Sequence, residues 1–79
     1  MADLTDDRIA AALMLLARRR GPRASFCPSE AARALAADWR PLMPEVRRVA
    51  ADLPLLATQR GRPVDPRTAR GPIRLRLNG

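Results

Sequence analysis

The sequence predicts a mainly α domain closed by a small β-hairpin (α+β), and three observations predict it. Three stretches carry apolar residues at helical spacing along one face only. Proline and glycine cut the chain between them. Near the C-terminus the period changes: Ile73, Leu75 and Leu77 alternate with Arg74 and Arg76, the pattern of a half-buried strand. A chain of 79 residues makes one domain with a modest core, so each element must dock on the others to be stable.

The first helix is expected from about Thr5 to Arg20. Thr5 is a good N-cap, Asp6 and Asp7 suit the positive end of the helix dipole, and Leu4 is placed to staple onto Ile9. Ile9, Ala12, Leu13 and Leu16 form its inward stripe, and Gly21-Pro22 stops it. Arg18, Arg19 and Arg20 fall in the last turn, where cations complement the dipole. That is a structural role ahead of a binding one. Ser25–Cys27 can add one small strand.

Residues 28–37 read as a short second helix. Pro28 fits its first position, Glu30 its first turn, and Ala31, Ala32 and Leu35 make a small-residue face. Asp38-Trp-Arg-Pro41 is the turn. The third helix spans 41–53, with Leu42, Val46, Val49, Ala50 and Leu53 inward and Pro44 confined to the opening turn. Pro54 ends it. Leu55–Gln59 is a strand whose inward residue, Leu55 or Leu56, the pattern leaves open. It should pair antiparallel with Ile73–Leu77, giving a wing over 55–77 across a long loop in which Asp65-Pro66 begins a single helical turn.

Charge is unevenly placed. The chain holds fifteen basic residues, all Arg, against eight acids, a formal net charge of +7. Residues 59–79 hold six Arg and one acid, Asp65, whereas 1–58 hold nine Arg and seven acids. An abundance of Arg and Ala can follow from genome composition alone, which would spread Arg evenly. Its concentration on one hairpin points instead toward an anionic partner such as nucleic acid.

Helix, small strand, short helix, tight turn, helix and basic hairpin is the order of a three-helix winged helix-turn-helix, whose second motif helix enters the major groove. The runs Phe26-Cys-Pro-Ser-Glu-Ala-Ala-Arg33, Trp39-Arg-Pro-Leu-Met43 with Val46-Arg47, and Gln59-Arg-Gly-Arg-Pro-Val64 with Gly71-Pro-Ile-Arg-Leu75 resemble a small bacterial family of uncharacterised winged-helix domains. The resemblance covers nearly the whole chain. It implies the fold and brings no functional residue with it.

An enzyme is not expected. Without His there is no Ser-His or Cys-His base and no His metal ligand. Cys27 reads as a packed small hydrophobe ahead of a reactive thiol, and the acids form no paired site. A single cysteine makes no internal disulfide, the acidic start is the wrong sign for a signal peptide, and Ile9–Ala17 is too short to span a bilayer. The cytoplasm is therefore the expected compartment. No cofactor, membrane or small-molecule ligand is implied.

The leading expectation is a DNA-binding winged-helix protein of the transcriptional-regulator kind. Arg60, Arg62, Arg67 and Arg70 sit on the wing loop as contacts for phosphates or a narrow minor groove. Arg47 and Arg48 on the third helix can read guanine or phosphate, or simply form a solvated face, and Arg40 near the turn can reach phosphate. Arg74 and Arg76 read as the wet face of a strand, and Trp39 as a core plug ahead of a base-stacking platform. The alternative is a protein-interaction or dimerisation module, for which Met14 and Leu15 widen the apolar side of the first helix.

Overall fold

The computed structural model describes residues 4–78, so the acidic start, Met1–Asp3, lies outside the described residues, as does Gly79. The first helix, α1 (Asp6–Arg20), starts where Thr5 Oγ1 accepts from the Arg8 N–H at 3.3 Å and closes where the Gly21 N–H donates to Ala17 O. Ile9, Leu13 and Ala17 are buried, one turn apart, and Ala12 and Leu16 pack at the flanks.

The second helix, α2 (Pro28–Leu35), has its cap built from the chain on both sides. Glu30 Oε2 accepts from the Cys27 N–H at 2.9 Å, and its other oxygen receives the Arg20 guanidinium from the end of α1. One carboxylate thus satisfies an orphan N–H of α2 and fixes α1 against it. The Cys27 bond, aided by Arg20, holds the Glu30 carboxyl below its ordinary value. The helix ends two residues before the expected Ala37. Ala36 is extended, which turns the chain so that Trp39 returns to the core; that packing overrides the helical preference of two alanines.

The third helical segment is divided. Arg40–Leu42 form a 3₁₀ turn, and regular α3 runs over Met43–Ala50 with Pro44 in its opening turn. It also ends short of the expected Leu53. The Asp52 and Leu53 N–H groups donate three residues back, to Val49 and Ala50, tightening the last turn ahead of Pro54 while Leu53 still packs on the core. Val46, Val49 and Ala50 are its buried residues.

Strand β1 (Leu55–Gln59) pairs antiparallel with β3 (Arg74–Leu77), with Leu55 opposite Leu77 and Ala57 opposite Leu75. The buried residue of β1 is Ala57, so Leu55 shares the inward face and Leu56 the outward one. Phe26, fully buried, bridges Leu75 from the far side, which places the small strand expected at Ser25–Cys27. The predicted long loop does not begin at Gln59. The chain reverses at once through Arg60-Gly61, with positive φ at both (54° and 81°), and Arg62–Pro63 form a further strand, β2, against Thr58 and Gln59. Two such residues make the tight hairpin turn that matches strand twist. Three helices and a three-stranded sheet of order β2-β1-β3 form a winged helix-like α+β fold. No helix among the described residues is long and apolar enough to cross a membrane.

The Glu30 arrangement has a pH consequence. Its carboxyl is lowered in the folded state, so the stability it supplies is fully present above the unfolded-state value and is lost as pH falls through the folded one. Asp6 and Asp65 are lowered too and act in the same acidic window. Thermal melting should therefore weaken below about pH 4.5, the ordinary Glu value. Glu30→Gln, which keeps an acceptor for Cys27, should flatten that decline in part. A variant with the wild-type pH profile contradicts the assignment.

Candidate functional site

The seven arginines singled out by the sequence divide into those the fold uses and those it leaves facing outward. Arg47 leaves α3 toward the wing. Its Nη1 donates to Ala69 O and its Nη2 to Gly71 O, both at 2.7 Å. From the other side Gln59 Nε2, at the end of β1, donates to Arg70 O and to Pro72 O. Two side chains thus take four consecutive carbonyls and hold Ala69–Pro72 as a strap across the end of the sheet.

Arg48 faces the other way. It forms a bidentate pair with Asp6 of α1, at 2.7 and 3.0 Å, and a second pair with Glu45 at 2.6 Å. Those bonds lower the Asp6 carboxyl and raise the already high Arg48 guanidinium. The pairs are exposed and add little stability, but they occupy the guanidinium and orient it toward α1. The outward face of α3 is correspondingly depleted of unengaged cations.

Within the wing, Arg67 is paired with its own loop. Asp65 accepts from the Arg67 backbone N–H at 2.9 Å and from its guanidinium at 3.2 Å, and Thr68 and Ala69 donate back to Asp65 O. That is the single helical turn the Asp65-Pro66 pair predicts, with Pro66 buried beneath it. The Arg67 guanidinium holds the Asp65 carboxyl below its ordinary value.

Arg60, Arg62 and Arg70 remain. They line one open groove, together with Gln59, Pro63, Val64, Gly71 and Pro72, and all three are exposed. Among the described residues no carboxylate pairs with any of them. Arg60 occupies the left-handed region at φ 54°, a position where Asn is locally preferred. A bulky cation there accepts backbone strain to stand at the tip of the turn. Arg62 follows on β2, and Arg70 is set by the strap that Arg47 and Gln59 hold.

Arg40 lies apart from this groove, stacked on the Trp39 ring with its Cζ 4.7 Å from the centroid. Arg74 and Arg76 are on the outward face of β3, as the alternation requires, but they are not merely wet. Arg74 donates to Ser25 Oγ at 3.0 Å and Ser25 O at 2.9 Å, and Arg76 reaches Pro22 O at 3.4 Å, fastening the connector to the sheet. Gln59 and Arg33, which shares the Trp39 ring, escaped the sequence reading: Gln59 bonds carbonyls eleven and thirteen residues on, and Arg33 meets Trp39 only because the chain turns after α2.

A family model described as a protein of unknown function (DUF3253) matches residues 6–78. A search of curated proteins finds no match.

Because Arg47 spans from α3 to the strap with two charge-assisted bonds, Arg47→Ala should destabilise the fold by about 2 kcal/mol. It should also raise amide exchange at Ala69–Gly71 more than elsewhere. Loop protection equal to wild type contradicts the clamp.

Proposed function

We propose that this chain, which belongs to the DUF3253 family, binds nucleic acid, duplex DNA foremost, through the groove of its wing. The observation that carries the reading is the convergence of Arg60, Arg62 and Arg70 on one exposed concave surface where, among the described residues, no carboxylate pairs with them. Among the described residues Arg20, Arg48 and Arg67 form ion pairs, and the three groove arginines do not. Guanidinium groups brought together on one groove suit phosphate oxygens bidentately. The strain accepted at Arg60 agrees with a role for that cation outside the fold.

In this reading the wing supplies most of the affinity and little of the sequence preference. Phosphate contacts position a protein, whereas base contacts specify. Arg47 and Arg48, held by the strap and by α1, are placed for support of the fold ahead of base reading. A regulator built this way draws its specificity from groove shape or from a protein partner. A purely protein-docking role has less behind it: Leu15, half exposed at 50%, is the exposed large hydrophobic side chain of the described residues and makes no extended patch by itself.

Salt-titrated binding to mixed duplex DNA tests the proposal. Replacing Arg60, Arg62 and Arg70 by Ala should flatten the dependence of log K on log salt by about 0.9 for each phosphate no longer neutralised. Arg67→Ala, which removes a cation already paired with Asp65, should change it far less. Arg60→Asn should weaken binding while holding or raising the melting temperature, because Asn suits the turn better. No detectable binding of the wild-type chain at low salt would overturn the proposal, as would a salt slope indifferent to all three groove residues.

A further inference from the structure

We propose that Arg33, Trp39 and Arg40 form a second anion site, at the turn between α2 and α3, that takes a phosphate of the duplex backbone. The proposal rests on the nucleic-acid reading and adds to it a contact on the helical body. Arg33 projects from α2 and Arg40 from the 3₁₀ turn, and each guanidinium carbon lies 4.7 Å from the centroid of the same indole ring. The two cations are therefore held within twice that distance of each other. Among the described residues no carboxylate pairs with either.

Trp39 makes the arrangement rigid. The ring is half-buried and packs against the core, while both arginines are exposed. Contact with the indole restricts each guanidinium, and both arginines stay exposed to solvent. A phosphate bound there would meet donors whose side-chain freedom is already restricted, and would relieve the repulsion between two like charges. Asp38, exposed, next to Trp39 in sequence and in no ion pair among the described residues, offsets part of the positive charge. The location also fits a backbone contact: in helix-turn-helix docking the helix preceding the recognition helix crosses the sugar-phosphate chain. Here that helix is α2, with Arg33 on its exposed side.

Trp39 is the single tryptophan of the chain, so the site carries its own reporter. A short mixed-sequence duplex, titrated into the full chain, should change Trp39 emission with the midpoint read from anisotropy of the labelled duplex. Arg33→Gln and Arg40→Gln, which retain a stem and a planar head, should each lower the salt slope by about 0.9. Asp38→Asn should tighten binding. Trp39 emission that stays constant while the duplex binds, or an unchanged slope in both arginine variants, overturns the site. If emission is constant and alanines at Arg60, Arg62 and Arg70 abolish binding, the wing reading stands and this one falls. If the Trp39 response survives those alanines with its slope intact, this site stands and the wing falls. A wild-type chain that binds no duplex overturns both.

Discussion

Four carbonyls in a row, Ala69 to Pro72, are held alternately from two sides, by Arg47 of α3 and Gln59 of β1. Between the Asp65 turn and the buried Ile73, those bonds are what fix the backbone of Arg70–Pro72. With them, the groove formed by the β1-β2 hairpin on one side and the strap on the other has a defined wall. The position of Arg70 relative to Arg60 and Arg62 follows from that wall. A guanidinium is well suited to the task because its fork delivers two parallel donors, which lysine cannot do.

Arginine serves three different ends in this chain, and the surroundings decide which. Where a carboxylate is near, as for Arg20, Arg48 and Arg67, the side chain is occupied and orients neighbouring elements. Where backbone carbonyls converge, as for Arg47, Arg74 and Arg76, it fastens one segment to another. Of the remainder, Arg60, Arg62 and Arg70 line the wing groove, Arg33 and Arg40 stack on the indole of Trp39, and Arg8, Arg18, Arg19 and Arg23 are exposed on α1 and the connector after it. Net charge of +7 therefore overstates what is available to a partner, and the relevant charge is local.

Sequence reading captured what depends on local pattern. The alternation from Ile73 to Leu77 located β3 and its buried face, and helical spacing located Ile9 and Leu13 of α1 and Val46, Val49 and Ala50 of α3, while Ala17 lay outside the expected stripe. It missed what depends on residues far along the chain. Glu45 three residues back marks Arg48 as a paired residue, but nothing local shows that Arg47 reaches residues 69 and 71 or that Arg48 also reaches Asp6. The early ends of α2 and α3 escaped for the same reason: alanine favours helix, and only the docking of Trp39 and Leu53 shows why the chain turns away. Strand β2 escaped because two residues leave no periodicity, although the Arg60-Gly61 pair was a turn signal that could have been read as a tight hairpin.

The central claim is that the fold consumes some guanidinium groups and leaves those of the wing groove for an anionic partner. Side-chain NMR of the arginine guanidinium N–H groups, Nη as well as Nε, tests it most directly, free and with duplex DNA added. The account predicts fast solvent exchange for Arg60, Arg62 and Arg70 in the free chain and the largest shifts there on adding DNA, with Arg47 and Arg48 slow and nearly unmoved. Wing arginines that stay silent while Arg47 and Arg48 shift would contradict it.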